Sequence, residues 1–174
     1  LAEHARFDRR VDAVADGAAV FDLAGEFGGQ AIESVAIPQQ DQDYIRSIVS
    51  RLDAIIDLDF RFVADPGQAD VAFYYDTEIE IGGGGQTLGL ATTGSAGWEL
   101  FINQPAVASN QDYRQYVNLH EWGHALGLEH PFEAGDGDVY AGNVNPWTSA
   151  YPEETVMAYR DPLSGDWPDF FTPN

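Results

Sequence analysis

Three of the chain's four histidines fall within residues 120–130, HEWGHALGLEH. On a helix, positions i and i+4 lie on one face about a turn apart, so His120 and His124 can aim their imidazoles at one ion. A tetrahedral site with one open position needs a third ligand from another direction. A helix continuing to residue 130 would carry that side chain too far along the axis and rotate it away. Gly127 removes the difficulty, because glycine can take positive φ, end the helix and turn the chain back. His130 then returns as the third ligand. Glu121 points about 100° around the helix from His120. That is a poor angle for a fourth ligand and a good one for reaching a water at the metal as general base.

This is the H-E-x-x-H pattern of zinc peptidases in its extended form, H-E-x-x-H-x-x-G-x-x-H, whose added spacings make it far more specific than the bare pair. The chain has no cysteine, so disulfides and thiolate zinc sites are excluded, and any metal site must use His, Asp or Glu. Zn2+ is the expected cofactor.

The elements that must position these residues can be read from periodicity. With 174 residues, 44% hydrophobic and 13% aromatic, the chain supports one α+β domain with a buried core. Residues 1–30 are Ala-, Asp- and Gly-rich and read as irregular, with a short helix around Arg9–Val14. Glu33–Pro38 reads as a strand. Asp41 is a candidate cap for a helix over DYIRSIVSRLDAIIDL, whose Tyr44, Ile45, Ile48, Val49, Leu52, Ile55 and Ile56 follow a 3–4 spacing. Strands are expected at Asp59–Ala64, Asp70–Tyr75, Thr87–Thr93 and Trp98–Asn103, with Gly82–Gly85 as a surface connector. Ser109 or Asn110 caps a second, largely buried helix that carries the histidines and ends at Gly127. After residue 130 the chain is loop-like. The expected architecture is a twisted, mostly parallel sheet with two long helices and an irregular C-terminal lobe, a zinc cleft lying between them. The upper lobe covers about 30–127 and the lower about 128–174, within a single domain 1–174.

The residues 120–130 resemble the metzincin clan of zinc endopeptidases, in the match His120-Glu121-x-x-His124-x-x-Gly127-x-x-His130. The only methionine stands in TVMAY, similar to the clan's Met-turn. Pro131 after His130 and Tyr159 two residues after Met157 are most similar to the serralysin family. The resemblance implies that Met157 forms a hydrophobic base beneath the three histidines. It also implies that Tyr159 lies near the zinc as an extra ligand or as a donor to the oxyanion, and that Leu88–Thr92 is a sheet edge to which an extended substrate adds as a strand. Two family features are missing: the calcium-binding glycine-aspartate repeats, and a helix after the Met-turn, since RDPLSGDWPDFFTPN does not read as helical.

The remaining signals set expectations about partners. Eight Lys+Arg against 29 Asp+Glu give a net charge of −21, which repels nucleic acid and anionic membranes and favours cationic substrates. No apolar run reaches the roughly 20 residues that span a bilayer. The first ten residues lack an apolar signal core, and the absence of an initial Met suggests a processed or trimmed form. Asp136 and Asp138, in the Gly-rich EAGDGDVYAG, could hold Ca2+, but without EF-hand spacing a solvated turn accounts for them equally. Trp147, Tyr151, Trp167, Phe170 and Phe171 either line a cleft or pack the lower lobe. His4 reads as a solvated terminal residue. The expected protein is a secreted, monomeric zinc endopeptidase acting on protein or peptide substrates. The alternative is a catalytically silent binding module of the same fold, stabilised by zinc or calcium. A narrower one is a self-inhibited form in which Asp8, Asp12 or Asp16 reaches the metal.

Overall fold

The computed structural model describes residues 7–10, 22–27, 30–62, 69–79, 86–94 and 97–170. His4, Asp12, Asp16, Gly82–Gly85 and Phe171 lie outside them. The elements in chain order are β1 (Phe7–Arg10), β2 (Asp22–Phe27), β3 (Gln30–Val35), α1 (Gln39–Asp53), β4 (Phe60–Phe62), β5 (Val71–Asp76), β6 (Gly89–Gly94), β7 (Gly97–Asn103), the short α2 (Gln104–Val107) and α3 (Gln111–Ala125). The fold is therefore mixed α+β with two long helices.

β5 is the hub of the sheet. One edge pairs with β7 in parallel from Val71↔Trp98 to Asp76↔Asn103. Its other edge is shared, parallel to β1 at Val71 and Ala72 and antiparallel to β3 at Tyr75 and Asp76. β6 runs antiparallel to β7, and β4 is parallel to β1. The sheet is thus evenly mixed rather than mostly parallel. Among the described residues β6 pairs only with β7, which makes it an edge strand.

The period of two along β5 and β7 decides which face carries the core. Val71, Phe73, Tyr75, Leu100 and Ile102 join Ile45 and Ile48 of α1 and Val117, Leu119 and Trp122 of α3 in one buried cluster. Trp122 stacks on Phe73 at 5.5 Å, which sets the rotation of α3 on the sheet. Tyr74 and Phe101 stack on each other instead, at 5.1 Å.

Several local expectations need correction. The described residues of the N-terminal stretch are strand rather than irregular: β1 and β2 lie there, and Arg9 and Arg10 pair with β4 and β5 instead of starting a helix, while Val11–Val14 lie outside the described residues. This is tertiary pairing overriding a weak local preference. Helix α1 starts after Pro38, with no side-chain cap. Asp41 sits inside its first turn, and its carboxylate faces inward. It accepts hydrogen bonds from Tyr75 Oη (3.0 Å) and Arg114 Nε (2.7 Å), while Asn118 Nδ2 donates to the same Tyr75 oxygen (2.8 Å). The helix stops at Asp53, leaving Ile55 75% exposed. Asp53 Oδ1 accepts from the Phe60 backbone N–H at 3.0 Å and so ties the exit from α1 to β4.

The Asp41–Arg114 pair joins α1 to the helix that carries the histidines. Asp41 is buried and its partner nearly so. Removing one member of a buried pair strands the other charge. Asp41→Ala is expected to lower unfolding free energy by about 3 kcal/mol, measured by urea denaturation.

Candidate metal centre

Helix α3 begins at Asn110, whose side chain accepts from the Tyr113 N–H at 3.0 Å. It ends in a Schellman turn: Gly127 N–H donates to His124 C=O and Leu128 N–H to Gly123 C=O, both at 2.9 Å, with Gly127 at φ +88. The turn does what the sequence requires of Gly127. It stops the helix at Ala125, with Leu126 as the cap, and swings His130 back over the face that carries His120 and His124.

The three rings meet at their Nε2 atoms. His130 Nε2 lies 3.2 Å from His120 Nε2 and 3.1 Å from His124 Nε2. The Nδ1 partners fix the tautomers. His120 Nδ1 is 2.8 Å from Val156 C=O, and His124 Nδ1 is 2.9 Å from Leu128 C=O. Carbonyl oxygens only accept, so in both rings the proton is on Nδ1. His130 Nδ1 faces Glu133 Oε1 at 2.7 Å and likewise donates. With every Nδ1 engaged, the three Nε2 atoms are the ring nitrogens left to face one another. Burial holds the His120 imidazole neutral, with its pKa pushed down to about 3. Burial and the neighbouring His130 also lower that of His124. Three converging lone pairs repel unless a cation lies between them. Ligand distances of about 2.0–2.1 Å with tetrahedral angles place neighbouring nitrogens about 3.3 Å apart, close to what is observed. The three histidines form a group that could bind a metal ion.

Glu121 is almost fully buried, at 5% exposure, yet lines the same cleft. Burial pushes its carboxyl up to about 8. Gly89 of edge strand β6 makes room for it: a Cβ there would collide with Glu121 Oε1 and lie 2.7 Å from Cδ. Gly89→Ala must therefore displace the carboxylate while leaving all three histidines untouched. The expected result is unchanged metal content, with any turnover that depends on Glu121 down about 10²-fold, read from kcat alongside bound metal.

Met157 is buried, and its Sδ would lie 2.6 Å from a Cβ on Gly123, so it packs directly against α3 between the turns bearing His120 and His124. The segment around it is fastened to the same helix. Val156 C=O accepts from His120, and Ala158 C=O accepts from Tyr116 Oη at 3.1 Å. The Tyr159 ring stands 4.6 Å from the His130 ring and 5.7 Å from that of His120. Burial, then the charges of Glu121 and Glu133, raise its phenol to about 12, so it keeps its proton and can donate.

Around this cluster is an open cleft of about 760 Å³, bounded by Leu88–Ala91 on one side and by α3 and the C-terminal tail on the other. Trp147 and Trp167 line it, whereas Tyr151 packs beneath the Arg160 guanidinium at 3.5 Å. Asp136 and Asp138 come together with Glu129, which spacing did not single out, and all three are exposed. Asp8 lies in β1. Among the described residues no helix is long and apolar enough to cross a membrane.

Spacing missed Glu133, although a carboxylate three residues after a ligand histidine is a readable signal. It missed Gly89 and Gly123 because only the packed structure brings them against Glu121 and Met157. A carboxylate on the far nitrogen of a ligand histidine fixes the ring and raises its basicity. Glu133→Gln is expected to weaken metal binding about 10- to 100-fold, measured by competition with a chromogenic chelator.

No protein-family model matches the chain, and no curated protein matches it.

Proposed function

We propose that the chain is a zinc-dependent endopeptidase of the metzincin type, most like the serralysins, acting on protein or peptide substrates outside the cell. One observation carries the reading. Three Nε2 atoms converge beside a buried carboxylate that has no cationic partner among the described residues, on the floor of a cleft open to solvent. The donor set fits zinc: neutral imidazoles, three protein ligands and an open direction towards the cleft.

A zinc ion held by His120, His124 and His130 would supply a Lewis acid that polarises a carbonyl and acidifies a water. The residues of the chain perform the remaining work. Glu121 accepts the water's proton as the oxygen attacks the peptide carbonyl, then delivers it to the departing amine. A cation at the three histidines would lower the carboxyl from its metal-free value of about 8 and leave it ionised to accept that proton. Tyr159, protonated at neutral pH, donates to the oxyanion. The free edge of β6 offers backbone donors and acceptors to an extended polypeptide. Met157 and Gly123 hold α3 and the Val156 carbonyl in the register that orients His120.

The test is digestion of an unstructured polypeptide by zinc-loaded protein, by chelated protein and by chelated protein reloaded with zinc. Cleavage in the first, none in the second and recovery in the third are expected. Zinc bound in the first sample without cleavage would overturn the peptidase reading in favour of a silent binding module.

A further inference from the structure

We propose that the end of the cleft beside Asp161 is a specificity pocket for a cationic side chain, lysine or arginine, of the substrate. The inference rests on the peptidase reading and names the substrate class for that site. Beyond His120 the cleft wall is built from α3 and the C-terminal tail, by Tyr113, Tyr116, Trp167 and Asp161. The Trp167 ring packs 4.4 Å from Tyr113 and 4.7 Å from Tyr116, and the Tyr116 ring stands 6.4 Å from that of His120. A continuous aromatic surface therefore leads away from the ligand cluster. The Tyr116 hydroxyl is occupied by the Ala158 and Thr155 carbonyls, so ring surface is what this residue can offer a ligand.

The charges along the cleft have one sign. Among the described residues no lysine or arginine lines it, and its only carboxylates are Glu121 and Asp161. Glu121 is committed to the reaction. Asp161 is exposed and has no ion-pair partner among the described residues; the neighbouring Arg160 turns away, donating to the Thr148 and Ser149 carbonyls and covering Tyr151. Asp161 is close enough to Tyr113 for its charge to raise that phenol's pKa, after burial. Aromatic faces leading to an unpaired carboxylate suit a long aliphatic stem that ends in a cation. The net charge of −21 draws cationic segments towards the protein from a distance.

The test compares otherwise identical peptides carrying Lys, Arg, Met, Gln or Glu at each position flanking the scissile bond. The chain contains no lysine, so Lys-directed fragments can come only from the substrate. At one fixed position Lys or Arg is expected to exceed Met in kcat/KM by about 10-fold or more. Asp161→Asn is expected to bring that ratio close to one, and Asp161→Arg to shift the preference towards Glu. Raised salt should narrow the wild-type preference. Thermal melts of both variants check that the fold survives. Wild-type preference for Met over Lys and Arg, or a Lys preference undiminished in Asp161→Asn, would overturn the inference. Failure of every peptide to be cut would bring down the peptidase reading, and this inference with it.

Discussion

Glu121→Gln is expected to reduce hydrolysis about 10³-fold while stabilising the metal-free protein above neutral pH. The two effects share one cause. The carboxylate is buried beside the ligand cluster, and burial raises its pKa from the ordinary 4.5 to about 8. Between those values the folded state binds more protons than the unfolded state, so the group's contribution to stability falls as pH rises through the window and is gone by about pH 8. Glutamine has no charge to desolvate and removes the penalty. The expected gain at pH 8.5 is roughly 4–5 kcal/mol, and there should be almost none at pH 4. Urea denaturation of both chelated proteins at the two pH values reads the difference. His120 has the opposite slope. Its pKa is depressed from 6.5 to about 3, so the unfolded state binds more protons in that interval and stability is lost as pH falls below 6.5. The chelated wild type should therefore weaken at both ends of the range, and Glu121→Gln should repair only the alkaline end. Equal stability of the two proteins at pH 8.5 would mean that Glu121 is solvated and not poised as described.

The second large effect concerns the ligands. His124 is less buried than His120 and donates only to the Leu128 carbonyl, in a turn that Gly127 already holds. His124→Ala should therefore spare the fold and strike metal binding. Structural zinc sites bind with roughly 10–16 kcal/mol, so loss of one of three ligands is worth about 4 kcal/mol, or about 10³-fold in affinity. Wild-type protein with zinc at 1,000 times its dissociation constant gains about 4 kcal/mol in stability, and the variant at the same zinc concentration should gain almost none. Comparing the melting temperature with and without zinc for both proteins reads this directly. A variant that still melts higher with zinc, by the wild-type margin, would place the ion elsewhere.

The histidine cluster was legible because its geometry is local. The i/i+4 spacing, the turn glycine and the return of His130 are all fixed within residues 120–130, and the Schellman turn realises them. Strands β5, β6 and β7 were legible from alternation and from runs of Val, Phe, Tyr and Ile. Strand β1 was not, because it gains order from pairing with β4 and β5 far along the chain, and β2, which pairs with its neighbour β3, was hidden by its Ala-, Asp- and Gly-rich surroundings. The role of Asp41 was misread for a similar reason. Its position looks like a cap, and only the arrival of Arg114 and Tyr75 gives its carboxylate something better to do. Gly89 had no local signal at all: its lack of a side chain matters only because β6 passes directly over Glu121. Glu133 was readable in principle, since it lies within reach of His130 along the chain, but its carboxylate acquires meaning only once the His130 ring is turned so that Nδ1 faces it.

The proposed chemistry depends on the three Nε2 atoms holding one metal ion. X-ray absorption at the zinc edge on protein loaded with one equivalent tests it most directly. Three histidine nitrogens are expected at about 2.0–2.1 Å, with the same spectrum for Glu121→Gln and one histidine fewer in His124→Ala. A shell dominated by carboxylate oxygens, or a spectrum that His124→Ala leaves unchanged, would contradict it.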